Sequence, residues 1–438
     1  MKETETQAKL SLKLQAYQYL KTKILNCEYR PNEFLNEQKL CAEMGNISRT
    51  PMRDALGRLE QEGLITILPK KGLMVSGITE DDIPDVLLSR CTTAREACAL
   101  LGRIIEEAGC GEGFGVGFVD SKEVWYLETG TGHQWIAHRT PADKYMATGN
   151  QGRLREYDPE REDMMGSPTV MSWAKENGFW NPEEGPFDFA AAYTRNDERD
   201  RVYNDPRVWQ IQKLFNPSLE QKPDEGRTYP VYLKPEKKLT VDDMKTMLRN
   251  HYEGTDHDPY SPVLNGNEPW RPISVFRTYE SHIMQVRPWL PQAIGCLIHL
   301  AFGMADLSVY LPFYQGLEAV PQHYGCGTDH CDRRSVYWKF RRLQTLVMTD
   351  YAGLAPMVKT AFAKFEADLA PRMAAFEAEF VKLHAEDEKA AAKLLNDFNL
   401  RVLAEGEELC ETLLDDCFTK RTTDIQEAVY FRNRKAKD

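Results

Sequence analysis

No run of about 18 consecutive apolar residues, the length that spans a bilayer, occurs in this 438-residue chain, so no membrane-spanning helix is expected. The opening MKETETQAKLSLK lacks the apolar core and small-residue cleavage site of a secretory signal, and cytoplasmic residence is the expectation. A cysteine rhythm is missing too. Ten cysteines (27, 41, 91, 98, 110, 296, 326, 331, 410 and 417) are scattered along a long chain, which argues against a small disulfide scaffold and fits reduced thiols. An excess of positive charge is lacking overall, the net charge being −12, yet residues 1–78 carry 12 Lys/Arg against 9 Asp/Glu. Only that stretch is suited to a polyanion. GCGEGFGVG contains G-x-G-x-x-G but follows a helical pattern and leads into a hairpin, so it reads as a loop and not a dinucleotide cradle. HYGCGTDHCD gathers His323, Cys326, His330, Cys331 and Asp332 at a spacing that fits none of the common zinc fingers. No cofactor and no metal is expected.

What is there begins with three helical patterns. Ala16, Tyr17, Leu20 and Ile24 recur at helical spacing, Leu40, Cys41 and Met44 form a second short stripe, and Met52, Ala55, Leu56 and Leu59 a third, with Ser48 as its N-cap. Two β-rich runs follow, Leu64–Leu68 and Leu73–Val75, around a Pro-Lys-Lys-Gly tip. Three helices and a hairpin predict a winged helix-turn-helix over residues 10–77, with Arg49, Thr50 and Arg53 facing outward. Hydroxyls, guanidiniums and a helix N-terminus suit DNA phosphates and guanine edges. The bland alternative is a solvated i,i+4 face. LNEQKLCAEMGNISRTPMRDALGRLEQEGLITILPKKGLMV resembles the DNA-binding domain of the GntR family of regulators. The resemblance implies dimeric binding to double-stranded DNA through Gln38, Ser48, Arg49, Thr50, Arg53, Lys71 and Gly72. Residues 78–90 read as a linker.

From residue 91 to 335 the pattern is α+β. One amphipathic helix (Ala94, Ala97, Cys98, Leu101, Ile104, Ile105) leads to short β runs at Gly115–Val119, Glu123–Thr129, Gln134–Arg139 and Lys144–Ala147, punctuated as hairpins are. Further strands are expected at Ser274–Arg287, Ala293–Phe302 and Ser308–Tyr314, with Pro-bounded loops over residues 155–235. Residues 336–425 read as helical, Pro356 and Pro371 marking breaks or helix starts. His133 and His138, five apart in one strand-turn, fall on opposite faces without a visible catalytic partner.

The stretches AREACALLG, KEVWYLETGTGHQWIAHR, GNQ, MLRNHYEGTDHDPY, ISVFRTYESHIMQVRPWLP and DLSVYLPFYQG resemble the PepD-like dipeptidases, N-terminal nucleophile hydrolases related to penicillin V acylase. That resemblance spans residues 90 to about 425. It implies a layered αββα arrangement of two antiparallel sheets between helices, with an amide-hydrolysing site at one edge. It places Asn150 of GNQ where those relatives hold the oxyanion and Arg277 at the site of their arginine. Their nucleophilic cysteine precedes the match to Ala94, in a region expected to be replaced here by the winged helix. Cys91-Thr92-Thr93 offers a substitute if cleavage after Arg90 frees its amine. Against that, helical periodicity continues from it, and Thr93 with Glu96 reads as a capping box.

The expectation from sequence is thus a GntR-type transcriptional regulator, homodimeric or larger. Its dipeptidase-like module would lack a catalytic cysteine and take a dipeptide or another small ligand. The alternative is an active cysteine dipeptidase with a DNA-binding appendage. A third reading is an accidental join of two reading frames.

Overall fold

Apolar periodicity sets the first group of elements. The computed structural model describes residues 12–25, 28–29, 34–45, 47–61, 64–68, 72–75, 87, 90–110, 113–195, 198–223, 226–260 and 269–435. The chain divides into two units, one formed by Met1–Thr140 with Gly152–Arg195 and the other by Pro141–Gln151 with Asn196–Asp438.

In the first unit, α1 (Leu12–Leu25), β1 (Phe34–Leu35), α2 (Glu37–Glu43), α3 (Arg49–Gln61), β2 (Ile65–Leu68) and β3 (Gly72–Val75) follow in order. The strands pair antiparallel as β1-β3-β2. β1 was not foreseen; it is two residues long and leads into the α2 cap, where the Asn36 side chain accepts the Gln38 and Lys39 amides. Every stripe residue of α3 (Met52, Ala55, Leu56, Leu59) is buried, packed with Ala16, Leu20, Leu40, Ile65 and Val75. Lys71 and residues 78–86, 88 and 89 of the expected linker lie outside the described residues.

The same unit continues with α4 (Ala94–Ala108), which has the expected capping box between Thr93 and Glu96 and ends at Gly109, φ 74°. Strands β4 (Gly115–Val119), β5 (Val124–Thr129), β6 (Trp135–Arg139) and β7 (Met164–Gly166) form an antiparallel sheet in that order. Trp125, Leu127, Trp135 and Ala137 of the sheet pack with Ala97, Cys98, Leu101 and Ile105 of α4. The close approach depends on Gly102, where an added Cβ would stand 2.1 Å from the Trp135 ring. That ring cannot swing aside, since its Nε1 donates to Glu106 Oε1 at 2.9 Å. Gly102→Ala is therefore expected to destabilise by about 2 kcal/mol, overpacking outweighing the helix-propensity gain. An unchanged urea midpoint would contradict the contact.

Residues 155–235, expected as loops, contain α5 (Val170–Glu176), α6 (Phe189–Tyr193), a turn of helix at Asp200–Tyr203 and α7 (Asp205–Phe215). Local capping accounts for two of these. Asp188 accepts the Ala191 amide at the start of α6, and Pro206 sits in the first turn of α7, where a missing N–H costs nothing.

In the second unit, α8 (Val241–Arg249) precedes the antiparallel sheet β8 (Glu280–Val286), β9 (Cys296–Phe302) and β10 (Leu311–Tyr314). All three strands start later than expected. Before β8, Thr278 N donates to Val275 O in a turn, and before β9, Gln292–Gly295 forms one helical turn. The helices α9 (Val336–Val347), α10 (Tyr351–Glu386) and α11 (Glu388–Lys435) complete the unit. Pro356 and Pro371 lie inside α10 and do not end it. A proline removes one ladder bond, whereas the apolar face of α10 buries Leu354, Val358, Phe362, Leu369, Phe376 and Phe380, each side chain contributing about 1.5–3 kcal/mol. Among the described residues no helix is long and apolar enough to cross a membrane.

Candidate functional site

Asn150 and Arg277 both belong to the second unit and are joined through one cluster. The Asn150 amide donates to Asn204 Oδ1 (2.9 Å), and Asn204 Nδ2 returns a bond to Asn150 O (3.3 Å). The same Asn204 Oδ1 accepts from an Arg207 guanidinium nitrogen at 2.5 Å, while Arg207 Nε donates to Tyr203 O at 2.9 Å. Arg277, exposed, donates to the Tyr203 hydroxyl at 2.8 Å. The Arg271 guanidinium lies 4.1 Å from the centre of the Tyr203 ring. Burial pushes the Tyr203 hydroxyl up, but Arg271 and Arg277 outweigh it and hold the group below its ordinary value. Burial, then the neighbouring Arg271, pulls Arg207 down to about 10. Asn150 itself is exposed, and its side-chain amide has no hydrogen-bond partner among the described residues.

Backbone geometry builds this cluster. A Cβ at Gly149 would stand 3.0 Å from Asn204 Oδ1 and 3.3 Å from Arg207, so glycine permits the Asn150 loop to lie against them. Tyr252, buried and at φ 66°, donates its hydroxyl to Arg271 O at 3.0 Å. A bulky residue in the left-handed region is strained, and here the strained residue anchors the arginine. Sequence reasoning missed Tyr203, Asn204, Arg207, Arg271 and Tyr252, for no local pattern marks them.

Cys91 stands in the first unit, half-buried, in the approach to α4. Its backbone nitrogen donates to Leu87 O at 3.1 Å. Burial, reinforced by Glu96, pushes its thiol above the ordinary value. In the intact chain that nitrogen is an amide and cannot take the thiol proton.

A second polar group in the second unit surrounds His251, which is 2% exposed. Its Nδ1 lies 2.8 Å from Asp258 Oδ1, and its Nε2 lies 2.9 Å from the Tyr351 hydroxyl and 3.5 Å from Asp306 Oδ2. Tyr351 donates to Asp306, and Lys359 Nζ stands 2.6 Å from the other Asp306 oxygen. Ligand atoms of His251, Glu253 and Asp306 fall within 4.8 Å of one another, but the Lys359 ammonium already supplies the counter-charge to Asp306. Nearby, a cleft of about 290 Å³ is lined by Ile273, Ser274, Thr278, Glu280, Ser281 and His282 among others. Burial holds His138 below its ordinary value, its Nε2 lying 2.8 Å from Glu156 O, and His133 Nδ1 is 2.9 Å from Glu106 O. In the HYGCGTDHCD stretch His323 is paired with Glu407 and Asp332 with Arg334, while Cys331 is exposed.

Of the residues expected at DNA, Gln38, Ser48, Arg49, Thr50 and Arg53 are exposed, and Gly72 opens β3 opposite Leu68. The Arg53 charge is answered within the fold, its Nε donating to Glu37 Oε1 at 3.0 Å.

Antiparallel sheets, helices and a helical C-terminal part put the chain among mixed α/β proteins, with a surface cluster of side-chain amides and guanidiniums. The chain belongs to Peptidase family C69, whose profile matches residues 9–364. It is similar to a "Probable dipeptidase" of Salmonella dublin, 56% identical over 255 residues (58% of this chain and 58% of that protein). It is also similar to a "Probable dipeptidase" of Latilactobacillus sakei, 32% identical over 292 residues (66% and 61%), and a "Dipeptidase" of Bifidobacterium longum, 33% over 289 (62% and 54%). The chain thus covers less than two thirds of the length of each of these relatives.

These findings correct the leading sequence reading. Residues 38–72, expected to contact DNA, lie inside the peptidase-family match. A GntR-type regulator with double-stranded DNA as its partner is overturned, and the exposed basic residues of α3 read as a solvated face with Arg53 paired to Glu37.

Proposed function

We propose that this chain is a dipeptidase, hydrolysing short unblocked peptides through a cysteine nucleophile. The observation that carries the reading is the peptidase-family match over residues 9–364, joined to relatives named as dipeptidases. Cys91 is the proposed nucleophile, in a form cleaved between Arg90 and Cys91. Cleavage turns its nitrogen into an amine that accepts the thiol proton. The sulfur then bonds the substrate carbonyl carbon, the C–N bond breaks as the leaving amine takes that proton, and water hydrolyses the thioester. The Asn150 side-chain amide is the proposed donor to the oxyanion; its exposure and its lack of an internal partner support this. Arg277 is proposed to hold the substrate. The layered αββα arrangement of N-terminal nucleophile hydrolases belongs to the same proposal, supported by the antiparallel sheets and helices found in each unit taken by itself. The order of elements over residues 12–75 supports a winged-helix reading of their fold alone, with no DNA role.

The test is release of free amino acids from a dipeptide panel, with the N-terminus of the protein mapped. Turnover is expected from material that begins at Cys91, falling at least about 10³-fold in Cys91→Ala and about 10²-fold in Asn150→Ala. Turnover untouched by Cys91→Ala places the nucleophile elsewhere. Cleaved protein that splits no dipeptide ends the reading.

A further inference from the structure

The guanidiniums around Tyr203 raise a question of charge. Arg207, Arg271 and Arg277 share one phenol, and none of the three forms an ion pair with a carboxylate among the described residues. Their partners are neutral: Tyr203 O and Asn204 Oδ1 for Arg207, the Tyr203 hydroxyl for Arg277, and the Tyr203 ring for Arg271. Arg271 Nε is buried without a hydrogen-bond partner. Elsewhere in the same unit two partly buried arginines are answered by carboxylates, Arg249 by Glu366 at 2.6 Å and Arg287 by Glu377 at 2.8 Å, while the buried Arg341 is held by the Phe276 and Thr278 carbonyls. Like charges brought together without a counter-ion repel one another, and burial strengthens that repulsion. Both effects act on Arg207, and burial also holds Arg271 below its ordinary value. An unanswered guanidinium cluster suits a planar oxyanion with two oxygens, which the forked donors of arginine bind in pairs.

We propose that Arg271, with Arg207 and Arg277, forms a subsite for the free α-carboxylate of a short peptide. This rests on the dipeptidase reading and names what that site recognises. Two observations favour a peptide carboxylate. Arg207 is tied through Asn204 Oδ1 to the Asn150 backbone, so the subsite and the proposed oxyanion donor are held by one side chain. In a dipeptide the scissile carbonyl lies one residue from the carboxylate, roughly 3.5 Å of chain, and a carboxylate seat beside the Asn150 loop therefore selects for short substrates. In addition, Arg271 and Arg277 bracket Ile273 and Ser274, and Thr278 follows directly; all three line the 290 Å³ cleft, which Glu280 also lines. A zwitterion needs an anionic partner for its ammonium, and Glu280, whose carboxylate lies 3.0 Å from His282 Nδ1, has that charge.

Calorimetric titration of the full chain with Ala-Ala, Ala-Ala amide and N-acetyl-Ala-Ala tests this, with hydrolysis followed separately. Ala-Ala and its N-acetyl form are expected to bind at least about tenfold more tightly than the amide, the worth of charge-assisted hydrogen bonds. Arg271→Met, with Arg277→Gln as a second, exposed variant in case the first does not fold, is expected to abolish that preference. Equal affinity for the acid and the amide overturns the subsite, as does a preference that survives both substitutions. Inorganic phosphate binding without any Ala-Ala binding overturns it too, leaving a general anion site. Carboxylate-dependent binding by the full chain, with no hydrolysis of any dipeptide by protein that begins at Cys91, sustains the subsite and removes the dipeptidase reading, so the two failures are distinct.

Discussion

Asp306→Asn is expected to cost about 3 kcal/mol of folding stability at pH 5, the lower end of the range for breaking a buried ion pair. Asp306 is 3% exposed and binds the Tyr351 hydroxyl, Lys359 and, more distantly, His251. Removing its charge takes a counter-ion from the buried His251 and from the partly exposed Lys359. The lower end of the range applies because Lys359 is about a third exposed and can turn toward water, and because His251 keeps Asp258. The pH dependence gives a second check. Burial alone would lower the pKa of His251, but Asp306, Glu253 and Asp258 outweigh it and raise it above 6.5. Its contribution is therefore complete below 6.5 and is lost as pH rises through the raised native value. Burial pushes Asp306 up, yet His251 and Lys359 bring it below 3.8, so its contribution is complete above 3.8 and is lost as pH falls. The network is at full strength between those limits. Urea unfolding of both proteins at about pH 5 and about pH 9 should show a gap that narrows at the higher pH. A gap independent of pH would mean that His251 does not change charge between the two pH values.

Periodicity carried much of the fold. The α3 stripe, the Thr93 capping box and β4 at Gly115–Val119 all stand where alternation and spacing put them. What failed was punctuation. Pro356 and Pro371 read in the sequence as breaks or helix starts, whereas both are carried inside α10 by the apolar face that helix buries. Partner identity failed for a different reason. The outward face of α3 has the composition that binds phosphates, but composition does not record that Glu37, sixteen residues earlier, reaches Arg53. The candidate site was legible only through a family resemblance, which supplied Asn150 and Arg277. Tyr203, Arg207 and Arg271 meet because the Asp200–Tyr203 turn, α7 and the segment before β8 converge, with Tyr252 held at φ 66° beneath them. Such long-range convergence leaves no spacing in the sequence.

Glu128→Ala is expected to destabilise the first unit by about 3 kcal/mol, because it orphans buried backbone donors. Glu128 sits on β5, 2% exposed, between Leu127 and Thr129. Its oxygens accept the Arg153 amide at 2.8 Å and the Leu154 amide at 2.8 Å, clamping the loop after Gly152 to the sheet. Two effects compete over its proton. Burial favours the neutral acid, and the amide donors favour the carboxylate; burial wins, pushing the group up to about 7 from 4.5. A carboxyl whose native value is raised contributes stability that is complete below 4.5 and lost as pH rises through about 7. Glu128→Gln keeps an acceptor oxygen for the two amides and has no proton to lose. It is therefore expected to be less damaging than Glu128→Ala and to abolish the fall in stability between pH 5 and 8. Unfolding monitored by tryptophan fluorescence suits the test, since Trp125 lies in the same strand. Parallel pH profiles for wild type and Glu128→Gln would show that this carboxyl is ionised across the range, and that the backbone donors, not burial, decide its state.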